Sequence, residues 1–311
     1  PRGRAGQRPG VGTTDPEAGP FPATLWKGLR RLSSYGADTL PKPNALIDEV
    51  ARRRPDVRQV ACFDSAFHRT MPRVAKLLPI PRRYAAGVER YGFHGLSYAY
   101  LMEELRRIDP AAAKGRVILA HLGSGASMAG GARGGGWAPG WGLPAPRGVV
   151  RGPRPGAIGP GLGYYGARAK DVTAARFQRM VTHESGLLGV SGTSADLREL
   201  LAREARDERA ADAVALFCYQ AKKWIGAFAA VLGGVETLVF AGGIGENASL
   251  IRHRICAGLG FLGIELDRRR NNRHAPLISP DVGRVAVRII HTDEDFMIAK
   301  SVIQSLVERT P

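Results

Sequence analysis

Apolar positions along the chain follow two rhythms, and the alternation between them sets out the elements. In "PNALIDEVARRR" (43–54) they recur at three- and four-residue spacing, which predicts a helix. "RQVACFD" (58–64) is a short apolar run and reads as a buried strand ending at Asp64. Helical spacing returns in "AFHRTMPRVAKLL" (66–78) and "SYAYLMEELRRI" (97–108), with the loop "PIPRRYAAGVERYGFHG" (79–95) between them. "GRVILAHLGSGASMAG" (115–130) is a strand entering a glycine turn. A long helix, 210–234, stopped by Gly233 and Gly234, delivers the chain to "TLVFAGGIGENASLIRHRI" (237–255), where a buried strand meets glycines at 242, 243 and 245 and then a helical pattern. "RVAVRIIHTDED" (284–295) is a strand ending in acids, and "FMIAKSVIQSLVE" (296–308) an amphipathic helix. This mixture predicts α/β layers with ligands at the strand ends.

Length adds that 311 residues allow two domains of ordinary size. No apolar run reaches 18 residues, and the first twenty residues contain no apolar core of the kind a secretory leader needs, so a cytoplasmic protein without a membrane partner is the expectation. Cys62, Cys218 and Cys256 are far apart in apolar surroundings and read as core residues rather than zinc ligands or a disulfide framework. A formal net charge of +17 raises the question of nucleic acid. The charge is scattered, 37 of the 45 basic residues being Arg, and no basic helix with interleaved aromatics accompanies it, so no nucleic-acid partner is expected.

Two stretches depart from globular patterning. Residues 1–40 are rich in Gly, Pro and Arg and are expected to be poorly ordered. From Gly131 to Gly166, 19 of 36 residues are Gly or Pro, and no acid occurs between Asp109 and Asp171. Trp137 and Trp141, four residues apart, fit a local shift of reading frame, since a one-base displacement of GTG or ATG followed by G yields TGG. The coding DNA for residues 130 to 160 tests this directly.

The candidate chemistry lies in the two glycine turns. A turn without Cβ atoms lets backbone N–H groups approach an anion, and a following helix N-terminus adds positive potential. Gly123, Ser124, Gly125 and Ser127 are placed for this, as are Gly242, Gly243 and Gly245. Asp64 and Glu294 at expected strand ends add carboxylates suited to a phosphate-bound cation.

Six segments, "ACFDSAFHRTMP", "ERYGFHGLSYAYL", "VILAHLGSGASMAGG", "ESGLLGVSGTSADLREL", "TLVFAGGIGENASLIRHRI" and "HTDEDFMIA", occur in the order and approximate spacing of acetate kinase and related short-chain acyl kinases, covering residues of about 45 to 305. The resemblance implies the actin-like ATPase (ribonuclease H-like) architecture of two α/β domains with nucleotide between them. It also implies a homodimer and reversible, Mg²⁺-dependent phosphate transfer between ATP and acetate, forming acetyl phosphate and ADP. On it, Asp64, His94 and Arg154 match catalytic residues: a Mg-associated aspartate, a histidine near the transferred phosphoryl and an arginine near the γ-phosphate. Glu294 matches the metal-site glutamate. His121, Gly123, Ser124 and Gly125 match the phosphate loop, Asp196 and Arg198 contacts to the nucleoside, and Gly242, Gly243, Gly245, Glu246 and Asn247 the adenosine and phosphate side.

The departures bear on activity. Ser124 stands where the family has Asn and Tyr98 where it has His, and Pro153 and Pro155 flank Arg154. The family's opening strand, Ser-rich loop and His-Gly-Gly segment with its substrate-binding arginine have no counterpart, so the second domain is expected largely complete and the first mostly missing. The expected division is an N-terminal segment 1–40, a first-domain remnant 41–63, a nucleotide-binding domain 64–294 and a C-terminal helix 295–311 returning to the first domain. An inactive relative that at most binds nucleotide is the alternative.

Overall fold

The structure, a computed structural model, describes residues 19–20, 41–57, 59–85, 89–90, 92–132, 141–144, 149–169 and 172–307. Most of the 1–40 segment and Trp137 therefore lie outside the described residues. Strands, in chain order, are β1 (Gly19–Pro20), β2 (Val60–Ala61), β3 (Val117–Leu122), β4 (Ala126–Gly131), β5 (Trp141–Pro144), β6 (Thr237–Ala241) and β7 (Ala286–Ile289). The chain divides into two compact units: unit 1 is Pro1–Glu104, Gly134–Pro144 and Thr292–Pro311, and unit 2 is Leu105–Arg133 and Ala145–His291. Residues 64–104 thus group with 41–63, and the last helix belongs to the same unit.

In unit 1 the Pro41–Arg53 helix follows the expected spacing. β2 pairs antiparallel with β1 and is only two residues long, so Asp64 does not end a strand; it opens a 3-10 helix, Asp64–His68. The helix expected over 66–78 is broken: Pro72 lacks an N–H and cannot continue the ladder, and only a single turn, Arg73–Lys76, follows it. The Gly95–Ile108 helix, most of it in this unit, starts two residues earlier than its apolar pattern and buries Tyr98, Leu101, Met102 and Leu105. The last helix, Glu294–Val307, opens on the acids rather than following them. The Asp293 carboxylate caps it, accepting the Phe296 N–H at 2.8 Å.

In unit 2 the strands run β4-β3-β6-β7, with β3, β6 and β7 parallel and β4 antiparallel to β3. Leu238, Val239, Phe240 and Ala241 of β6, like Val117 to Ala120 of β3, are fully buried, as expected of parallel strands covered on both faces. The long helix, Glu208–Leu232, is capped by Asp207, which accepts the N–H groups of Arg209 and Ala210, and ends at Gly233. Its buried stripe includes Ala210, Val214, Phe217, Ala221, Ile225 and Phe228. The two glycine turns differ in what they feed. The 242 turn leads into a helix, Gly242–Asn247, but the 123 turn is a hairpin into β4, because the small residues of "ASMAGG" sit fully within the sheet. All three cysteines are buried and free, as expected. Among the described residues no helix is long and apolar enough to cross a membrane.

Candidate functional site

In unit 1 the "GFHG" loop, residues 92–95, wraps around Asp64. Gly95 is required there by close approach, since a Cβ would lie 1.8 Å from the Asp64 carbonyl oxygen. That contact brings backbone N–H groups to the Asp64 side chain, with Leu96 N donating to Oδ1 at 3.3 Å. Burial raises the Asp64 pKa, while hydrogen bonds from the Leu96, His94 and Gly95 amides oppose the shift. Asp64 Oδ2 is buried without a hydrogen-bond partner. Glu294, half-buried at the start of the last helix, is also raised, by desolvation first, then by the charges of Asp64 and Asp295. Two carboxylates near enough for the Asp64 charge to disfavour ionisation of Glu294, one with an orphaned buried oxygen, fit a divalent cation of the Mg²⁺ type, which takes one or two protein oxygens and keeps its waters. Among the described residues no group of three or more His, Cys, Asp or Glu could hold a metal by itself.

His94 is buried and has φ +54°, an uncommon left-handed conformation for a residue other than glycine. Its carbonyl accepts the Tyr98 N–H at 3.0 Å, so it serves as first acceptor for the following helix. His68 stands behind the loop. Its Nε2 lies 3.1 Å from the Phe93 carbonyl, and burial drives its pKa down to about 4, so the ring is neutral and donates there.

In unit 2 the two glycine turns meet. The registers His121↔Ala241 and Ala120↔Phe240 bring the C-terminal ends of β3 and β6 side by side. A methyl added at Gly123 would sit 3.7 Å from the Gly243 amide nitrogen and 4.0 Å from His121 Nε2. Gly242 takes φ +76°, and a Cβ there would lie 2.8 Å from the Leu122 carbonyl oxygen, so only glycine lets β6 turn this tightly beside β3. The Gly123 N–H closes the hairpin on the Gly125 carbonyl at 2.9 Å, leaving Ser124 exposed at the tip. Burial lowers the His121 pKa to about 4 against the pull of Glu246. Gly243 is exposed with open space where a Cβ would be.

The expected phosphate-side residues divide by what they do. The Gly242 N–H donates to Glu246 Oε1 at 2.8 Å, and Asn247 Nδ2 donates to the Gly243 carbonyl at 3.0 Å. Glu246 and Asn247 thus brace the turn from within. Asp196 caps the Leu197–Arg203 helix through the Arg198 N–H at 2.9 Å and pairs with the exposed Arg198 guanidinium at 2.6 Å. That hydrogen bond, with the backbone one, draws the Asp196 pKa down to about 2. Arg154 is half-buried, in a loop held on the Gly186–Ser191 helix by Ser185 N–H to Pro153 O at 3.1 Å and Leu188 N–H to Gly152 O at 2.9 Å. Proline needs no N–H in those bonds, because the loop supplies only carbonyls.

Three further residues shape these turns. Arg252 is fully buried, its guanidinium donating to the carbonyls of Gly245 and Glu246 at 2.8 and 2.9 Å and to Asn271 Oδ1 at 2.8 Å. Burial pulls its pKa down to about 10. The sequence carried a signal for it: Arg252 falls on the buried stripe of its helix with Ile251, Ile255 and Cys256. Arg151 Nε donates to the Ala126 carbonyl at 2.9 Å, beside the hairpin tip. His291 Nδ1 lies 2.7 Å from Glu246 Oε2. Neither Arg151 nor His291 had a local pattern to reveal it, since both contacts join segments distant in sequence.

The parallel sheet with ligand-type turns at its strand ends, together with matched solved structures, gives the chain the actin-like ATPase architecture. The acetate kinase of Porphyromonas gingivalis superposes with a TM-score of 0.87 at 31% identity, over 96% of this chain and 77% of that one. A propionate kinase from Francisella tularensis gives 0.86 at 28%, over 95% and 77%. The chain belongs to the acetokinase family, whose model matches residues 30–300. It is 45% identical over 253 residues to the acetate kinase of Methylocella silvestris, which covers 81% of this chain, and the chain spans 62% of that relative's length.

Proposed function

We propose that the chain takes part in transfer of the γ-phosphoryl group of ATP to a short-chain carboxylate, acetate in the simplest case, and in the reverse reaction. The acceptor oxygen forms a bond to the γ-phosphorus, the bond to the bridging oxygen breaks, and ADP leaves with its electron pair. The observation that carries this reading is the meeting of two glycine turns at adjacent strand ends, with the Gly243 amide beside Gly123. Such a meeting offers backbone N–H groups to a polyphosphate.

In unit 2, His121, Gly123, Ser124 and Gly125 serve the phosphates. Gly242, Gly243 and Gly245, braced by Glu246 and Asn247, shape the nucleotide side, and Asp196 and Arg198 reach the nucleoside. Arg154 offers a guanidinium to charge developing on the transferred group. In unit 1 the Asp64 and Glu294 carboxylates would hold Mg²⁺, which when bound would supply positive charge to neutralise phosphate oxygens. His94 takes the role of the histidine that serves the transferred phosphoryl, as the family resemblance implies. A homodimer in the cytoplasm, with no membrane or nucleic-acid partner, goes with this reading through the family resemblance.

The second reading, a family member that binds nucleotide without turnover, is favoured by one observation: Asp196 and Arg198 already satisfy each other. Purified chain incubated with ATP, Mg²⁺ and acetate, with acetyl phosphate trapped as the hydroxamate, separates the two. Turnover supports the first; ADP binding by calorimetry without turnover supports the second; neither activity nor binding removes both. Propionate in place of acetate tests acyl choice, which rests on pocket differences of about 1–3 kcal/mol per methylene.

A further inference from the structure

We propose that His291 is a positioning residue for nucleotide binding, acting through Glu246 on the 242 turn; this rests on the nucleotide role given to that turn above. Glu246 lies four residues after Gly242, and its carboxylate reaches back so that Oε1 accepts the Gly242 N–H at 2.8 Å. The second oxygen, Oε2, takes His291 Nδ1 at 2.7 Å. The two partners differ sharply in exposure, the Glu246 side chain being 13% and His291 78% accessible. A carboxylate that far out of water loses solvation, and a donor on its second oxygen compensates.

Two consequences follow for an anionic ligand. First, the His291 contact fixes the carboxylate that occupies the Gly242 amide, and so fixes the plane of the turn whose next amide, Gly243, lies beside Gly123. Second, Glu246 carries negative charge into the neighbourhood where phosphates would bind, and a donor on Oε2 draws that charge away from them. The backbone side of Glu246 is fixed independently: its carbonyl accepts from Arg252 at 2.9 Å and contacts His274 Nδ1 at 3.0 Å. His291 therefore governs the side chain and leaves the main chain to Arg252. Its position at the end of unit 2, just after β7, makes it a contact from outside the turn's own segment.

The test compares wild-type full chain with H291A and H291Q, by calorimetry with ADP and Mg²⁺ and by steady-state assay in ATP. H291A is expected to weaken ADP binding about fivefold, the scale of one ordinary hydrogen bond net of solvent, because the donor is largely exposed. It should raise KM for ATP more than it lowers kcat. H291Q, which restores an N–H donor, should recover to within about twofold of wild type. Melting midpoints are expected to stay close to wild type, because the side chain is exposed. H291A that binds ADP like wild type, a loss confined to kcat, or H291Q that fails like H291A would each overturn the proposal. Wild-type chain that binds no ADP would overturn the nucleotide role of the turn, and this inference with it.

Discussion

At the residue scale, the most consequential group is Asp64, whose burial and orphaned Oδ2 make it costly to keep ionised without a partner. D64N removes that cost together with the charge proposed above to bind the cation. The expected outcome is a melting midpoint no lower than wild type and a fall of about a hundredfold or more in hydroxamate formation. Gly95 is the complementary case. G95A drives a methyl into the Asp64 carbonyl, and urea titration should show a loss of about 2–4 kcal/mol, within the range of overpacked or strained sites. Both residues were legible in part. "YGFHG" and Asp64 stood out as motif members, but the reason for Gly95 is a contact 31 positions away in the chain, which no local pattern contains.

At the element scale, the sequence located the three parallel strands and the long helix well, because strands buried on both faces leave continuous apolar runs and the helix carries a regular buried stripe. It failed where one residue overrode a period. Pro72 splits the segment read as one helix, and the glycine turn at 123 proves to be a hairpin into β4, a strand the sequence reading did not name. The 242 turn bears the sharpest element-level prediction. G242A forces φ +76° on an L-residue and places a Cβ 2.8 Å from the Leu122 carbonyl oxygen, so the register of β6 against β3 must yield. Denaturation should report a loss above about 1 kcal/mol, and ADP binding should fall with it, whereas alanine at the open Gly243 should leave the fold intact.

At the scale of the whole molecule, acid stability is set in part by two histidines. His68 and His121 have pKa values pulled down to about 4, so between that pH and about 6.5 the unfolded chain holds protons the folded chain does not. Stability therefore rises with pH across this window and is lost as pH falls through it. The fully buried His68 contributes up to about 3 kcal/mol by linkage; the less deeply buried His121 contributes less. H68F should reduce the slope of unfolding free energy against pH by about one proton, measured by denaturant titration from pH 4 to 7. By itself the sequence determined the family, the parallel strands and the long helix, and it singled out candidate residues for phosphate and cation chemistry, because these reside in local patterns and motif order. Only the tertiary structure decided that the two glycine turns lie side by side, that Glu246 is spent bracing its own turn, and that Arg252 and His291 hold it there. Those outcomes depend on strand register and on contacts between distant segments, where burial and hydrogen-bond geometry, rather than neighbouring residues, choose the partner.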